Sequence, residues 1–185
     1  MGNLQCKKID GKRCDEYYEY MTMQEDKGEM MDKKDIKTTK LKEWMSLIEE
    51  SLKNGKSVRF APRGISMLPM LRQGIDCVVL SPLPEKLKKY DLPLYQRDDG
   101  KYILHRIVKV GETYTCIGDN QFELESGVRH DQMIAVVTGF TRGEKEHSVT
   151  ELGYQLYCRV WHYSRPFRLV LRKVKGRVRR IVKKS

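Results

Sequence analysis

The chain has no hydrophobic run approaching the roughly 18 to 20 residues of a bilayer-crossing helix, which excludes an ordinary membrane span from its expected architecture. Its opening (MGNLQCKKIDGKRCDEYY) has no apolar core of a secretory signal, and Cys6 stands where an N-myristoylation motif wants Ser or Thr. Large aromatics are scarce, with four Phe and two Trp in 185 residues, so the expected core is modest. Paired cysteines are missing too. Cys6, Cys14, Cys77, Cys116 and Cys158 are odd in number and lack Cys-x-x-Cys spacing, which argues against a zinc site or redox dithiol and for free thiols in a reducing, cytoplasmic setting. The four histidines, His105, His130, His147 and His162, show no metal-ligand spacing, so neither metal nor cofactor is expected.

Charge is present but uneven. Lys and Arg number 36 against 25 acids, a net +11. Residues 1–35 carry seven bases and nine acids, residues 36–164 nineteen and sixteen, and residues 165–185 ten bases with no acid. The basicity belongs to the C-terminal segment, so the body gives little reason to expect nucleic acid as a partner.

Four segments follow. Residues 1–35 lack a sustained apolar period and are expected to be a disordered polar arm. In 36–56, Leu41, Trp44, Met45, Ile48 and Leu52 recur at helical spacing and Asn54-Gly55 supplies a stop, so a helix is expected over about 39–53. Residues 57–164 read as short strands: around Val58 and Phe60, then 76–80, 92–97, 102–110, 113–118 and 134–142. Gly111-Glu112 is expected to be a two-residue hairpin with Gly first. No helical pattern alternates with these strands, which indicates a mainly β body. In 165–185, Phe167, Val170, Leu171, Val174, Val178, Ile181 and Val182 follow helical spacing among arginines and lysines. This predicts a cationic amphipathic helix suited to an anionic membrane surface, through Phe167, Arg168, Leu171, Arg172, Val174, Lys175, Val178 and Arg179. Packing on the body and contact with nucleic-acid phosphates are the alternatives, and residues 154–166, rich in aromatics, fit either an interface or a cover over the core.

Three places carry groups fit for chemistry. Ser66 lies between Gly64-Ile65 and Met67-Leu68-Pro69 at the end of a strand, a setting that suits a nucleophile and equally a turn serine. His105, with Ile103 and Ile107 on its own face of a continuous strand, is a candidate base or a packed core histidine. Asp119, Glu123 and Glu125 follow a later strand. A serine hydroxyl needs a base and a neutral imidazole needs an orienting acceptor, so Ser, His and acid in this order are compatible with acyl transfer.

The runs 63–80 (RGISMLPMLRQGIDCVVL), 104–110 (LHRIVKV) and 116–120 (CIGDN) resemble the ordered signature of type I signal peptidases and the related self-cleaving repressor peptidases. Ser66, Met67 and Pro69 match the nucleophile box, and Gly118, Asp119 and Asn120 match the Gly-Asp-Asn box. His105-Arg106-Ile107 resembles the Ser-His branch of endoplasmic-reticulum and archaeal type. The resemblance covers about residues 57–142. It implies an antiparallel signal-peptidase-like β body and a serine endopeptidase that cuts a leader or precursor peptide lying along an exposed strand. Ser66 would be the nucleophile, His105 the base, and an acid among Asp119, Glu123 and Glu125 the third member, with Asp119 matching the Gly-Asp-Asn acid and Glu125 lying near where that branch carries a further Asp. Gly64 stands where many members have a hydroxyl residue, so the oxyanion donors would be backbone N–H groups of Gly64, Ile65 and Ser66. A repressor would need a DNA-reading helix-turn-helix, whereas only one helix precedes the body. The competing function is a catalytically silent peptidase-like module that binds a peptide or partner at a membrane surface. The pH dependence expected of a histidine base centres near its ordinary value of about 6.5, and oligomeric state is open.

Overall fold

The computed structural model describes residues 33–182, with side chains described for 43–174; the polar arm expected over 1–35 lies, but for its last three residues, outside the described residues. Helix α1 spans Lys33–Lys53. Met45, Ile48 and Leu52, spaced three and four apart, are buried and join the main core. The helix stops at Gly55, whose φ of 73° is the left-handed conformation that a side chain disfavours and whose N–H caps the Leu52 carbonyl at 2.9 Å.

Nine strands follow. They are β1 (Val58–Phe60), β2 (Val78–Ser81), β3 (Pro93–Gln96), β4 (Tyr102–Leu104), β5 (Arg106–Val110), β6 (Tyr114–Ile117), β7 (Glu125–Val128), β8 (Met133–Arg142) and β9 (Lys145–Ser148). All pairings are antiparallel. Six strands form one sheet in the order β1-β2-β8-β3-β4, with β9 also on β8; the other three form a sheet in the order β5-β6-β7. The body is therefore mainly β. Helices α2 (Leu152–Tyr163) and α3 (Arg165–Val182) close the chain. No helix among the described residues is long and apolar enough to cross a membrane.

The single strand expected over 102–110 is two. It breaks at His105, which leaves β4 on the larger sheet and β5 on the smaller. Two faces of one strand therefore do not describe the segment: Arg106, Ile107 and Val108 are successive buried residues because β5 starts a new sheet between two cores. The hairpin after β5 also differs, since Gly111 lacks a positive φ and its N–H bonds Thr113 O across a longer turn. Strands β7 and β9 and helix α2 are additions to the sequence expectation. The first two are four-residue segments with charged or polar outward positions, where alternation is too short to read.

Two apolar clusters result. One gathers Leu80, Leu94 and Val137 of the larger sheet and Leu92 just before β3 with α1, the loop after β1, and Tyr154 and Cys158 of α2. The other, between the sheets, holds Tyr95, Ile107, Cys116, Val128 and Met133. Cys77, Cys116 and Cys158 are buried free thiols, and burial pushes the Cys116 thiol up to about 12, which keeps it protonated and unreactive.

Between these cores Arg106 is completely buried. Its guanidinium binds Asp119 through Nε and Nη2 at 2.9 and 2.8 Å, and Nη1 donates to Tyr154 Oη at 2.8 Å and to the Tyr90 carbonyl at 3.3 Å. Nearby lie Cys158 Sγ and Met70 Sδ, each at 3.0 Å. Burial alone would lower the Arg106 pKa, but the adjacent carboxylate outweighs it and holds it well above the ordinary value. Removing one partner of such a pair leaves a buried charge without compensation. Asp119→Ala is expected to cost about 3–5 kcal/mol in urea unfolding, and Arg106→Met combined with Asp119→Leu less than either single change.

Candidate active site

The loop between β1 and β2 carries Ser66 and is fixed from several sides. Met67, Met70 and Leu71 are buried beneath it. Leu71 N–H bonds Met67 O at 2.9 Å, and Arg142 donates to the carbonyls of Pro69 and Met70. At the loop's end Asp76, fully buried, accepts from Arg72 and from Gly143 N–H. Burial would raise its carboxyl, but these hydrogen bonds hold it below the ordinary range. Ser66 is thus presented, half-buried, by a rigid turn.

His105 occupies the break between β4 and β5 and is 3% exposed. Ser66 and His105 line one small cleft, together with Pro62, Gly64, Met67 and Tyr102. The imidazole places Nε2 near Gly118. A Cβ placed on Gly118 would lie 2.7 Å from the Ser66 carbonyl oxygen and 3.1 Å from both His105 Nε2 and Gln121 Oε1, so the three residues crowd one point and only glycine fits there. Asn120 ties the third box to the first: its N–H donates to Ser66 O at 2.8 Å and its side-chain amide to Ile65 O at 3.1 Å. The three motif boxes therefore meet in space.

On the opposite edge, Nδ1 lies 3.4 Å from Tyr95 Oη and 3.6 Å from Glu125 Oε2. Tyr95 donates its own proton to Glu125 at 2.6 Å. Its oxygen can then only accept from the ring, which favours the imidazole proton on Nδ1 and Nε2 as the acceptor, on the Gly118 side of the ring. Arg97 clamps the same carboxylate from Nε and Nη2 at 2.5 and 2.6 Å. Burial would raise the Glu125 carboxyl, but hydrogen bonds from Arg97 and Tyr95 outweigh it and keep it below its ordinary value.

Of the acids named from sequence, Glu125 approaches the imidazole. Asp119 does not hold the ring: its carboxylate is spent on Arg106 and on Tyr157 Oη at 3.0 Å. Glu123 is exposed. The oxyanion trio also changes, because Gly64 N–H donates to Gln73 Oε1 at 2.9 Å; Ile65 and Ser66 are the two of the three without such a partner among the described residues. Tyr95 and Arg97 were not legible as site residues. Only the alternation in 92–97 hinted at them, and it could not say that β3 lies beside the strand break at His105.

Comparison of the chain with protein-family models, with curated proteins and with solved structures finds no match.

Burial moves the titration from the value expected of an ordinary histidine. It is the largest influence on His105 and lowers the pKa to about 4, against an upward pull from Glu125. The unfolded chain takes up this proton near 6.5 and the folded chain only near 4. Stability is thus undiminished above 6.5 and falls as pH drops through the window between the two values, by about 3 kcal/mol in all. His105→Gln is expected to flatten that part of the stability curve, read as the difference between the two proteins in urea unfolding from pH 7 to 4.

Proposed function

We propose that the protein is a serine endopeptidase of signal-peptidase type that cuts a precursor or leader peptide. The observation that carries this reading is the orientation of His105. Its Nε2 lies on the Gly118 side of the ring, and the ring lines one cleft with Ser66, while Tyr95 Oη and Glu125 Oε2 lie 3.4 and 3.6 Å from Nδ1. A packed core histidine has no need of both a carboxylate behind it and a cleft in front.

The substrate lies extended along β4, which is an edge strand paired only with β3 and whose residues 102–104 form a wall of the cleft. Ser66 Oγ attacks the scissile carbonyl and passes its proton to His105 Nε2. The Ile65 and Ser66 N–H groups face the charge that develops on the carbonyl oxygen. Glu125, kept ionised by Arg97, stabilises the imidazolium through Tyr95 and across 3.6 Å. The imidazolium then protonates the departing amine, leaving an acyl-enzyme on Ser66. Water deprotonated by Nε2 hydrolyses that ester and restores the serine.

A base this deeply buried is weak at rest, and its protonation requires the neighbouring carboxylate. Arg106 and Asp119 act at one remove, by fixing the chain on either side of His105 and Gly118.

Ser66→Ala and His105→Ala are each expected to abolish cleavage of a fluorogenic peptide library with folding retained. Tyr95→Phe removes the group that fixes the ring proton and is expected to lower kcat by about tenfold or more with little change in KM. In the parent, kcat/KM holds through pH 6.5 and fails only as pH approaches about 4. Full turnover by His105→Ala, or an acid limb at 6.5, contradicts the assignment. Peptide binding without hydrolysis, unchanged by Ser66→Ala, marks the protein as a silent module instead.

A further inference from the structure

Helices α2 and α3 run on almost as one. Ser164 between them is helical, its N–H bonds Val160 O at 2.9 Å, and Arg168 N–H bonds Ser164 O at 3.0 Å. Pro166 merely removes one hydrogen bond at the first turn of α3. One face of this combined helix meets the body. Tyr154 and Cys158 are buried in the main core, Trp161 Nε1 donates to Asp119 O at 2.8 Å, and Arg165 bonds Phe122 O. Arg168 follows on the same face, its guanidinium 3.8 Å above the Trp161 ring and bonded to the Trp161 carbonyl.

The opposite face is apolar and, among the described residues, exposed. From α2 it shows Leu152, Leu156, Val160 and Tyr163, and from α3 Phe167, Val170, Leu171 and Val174. Exposure runs from 50% at Val174 to 88% at Leu152. Steps of three and four keep these side chains within an arc of about 100° on a continuous helix. The residues that touch the body fall in the complementary arc. This corrects the surface expected from sequence in two ways: it begins at Leu152 rather than at 165, and Arg168 and Arg172 are not on it, because Arg168 stacks on Trp161 and Arg172 lies 5.1 Å from the Phe122 ring. The side chains of Lys175, Val178 and Arg179, also expected there, lie outside those described.

We propose that the exposed face of α2–α3 is an in-plane seat for an anionic lipid surface. Charge selects this occupant. From residue 152 to 185 the chain has eleven bases and no acid, and although Arg165, Arg168 and Arg172 turn to the body, a second copy brought face to face would still meet like charge, whereas anionic headgroups meet the remaining bases while the acyl region takes the stripe. A nucleic acid would use the charge and leave the apolar arc in water. The body lies on the far side of the helix. The loop at 119–122, which bonds Ser66, is about one helix diameter, 10–12 Å, from the lipid contact. The inference stands apart from the peptidase reading, since it uses no residue of the cleft.

The test is co-sedimentation of the full chain with vesicles of phosphatidylcholine alone and with phosphatidylglycerol added. Binding is expected for the anionic vesicles. It is expected to fall about tenfold or more in Leu156→Glu/Val160→Glu, which lies outside the basic segment, and in Phe167→Glu/Leu171→Glu. Both variants change exposed positions and keep the parent's melting temperature and Ser66-dependent cleavage rate. Failure to bind anionic vesicles overturns the proposal. So does binding unaffected by the α2 pair, which indicates charge alone, or a dimer in light scattering that the α2 pair dissociates, which assigns the face to a second copy.

Discussion

The arrangement depends on one desolvated ion pair. Arg106 is the residue after His105 and Asp119 is the residue after Gly118, so their bidentate contact fixes the start of β5 against the end of β6. Several elements near the cleft meet at that pair. Tyr154 and Cys158 bring α2 to the guanidinium, Met70 brings the serine loop, and Tyr157 and Trp161 hold the Asp119 residue from above. A buried ion pair contributes little net stability compared with a well-packed apolar replacement, but it tolerates few geometries. Here that intolerance places an imidazole and a serine carbonyl against one glycine.

Burial and the carboxylate behind the ring pull the His105 titration in opposite directions. A histidine between two sheets gains orientation from its surroundings and loses basicity to them. The clamp of Arg97 and Tyr95 on Glu125 is the counterweight, since it keeps a negative charge behind the ring where a proton arriving at Nε2 can be balanced. The same layout explains why Tyr95 must be a phenol with its proton committed: a free hydroxyl could donate to the ring and reverse the tautomer.

Much of the body was legible in the sequence because its signals are local. The face of α1 at Met45, Ile48 and Leu52, the strands at 78–81, 93–96, 114–117 and 133–142, and the Gly- and Pro-bounded turn of Ser66 all follow from short-range pattern. The boxes holding Ser66, His105 and Gly118 were also visible, and the chain brings them together. What stayed hidden depends on pairing between distant segments. Nothing in 102–110 announces the break at His105, since an alternating run reads as one strand until two sheets compete for it. That Glu125 rather than Asp119 lies beside the imidazole turns on where Arg106 and Arg97 point, and no spacing encodes that. Helix α2 was concealed by its aromatics, which serve the core on one face and leave the apolar stripe on the other.

The most direct measurement of the central claim is covalent capture of the nucleophile. The protein is treated at neutral pH with a peptidyl phosphonate and digested, and the adduct is located by mass spectrometry in parent, His105→Gln and Tyr95→Phe proteins. A single adduct on Ser66, formed quickly in the parent, slowly in Tyr95→Phe and not in His105→Gln, is the result expected of a hydroxyl activated by an oriented imidazole. No adduct at Ser66, or one formed equally fast in all three proteins, contradicts it.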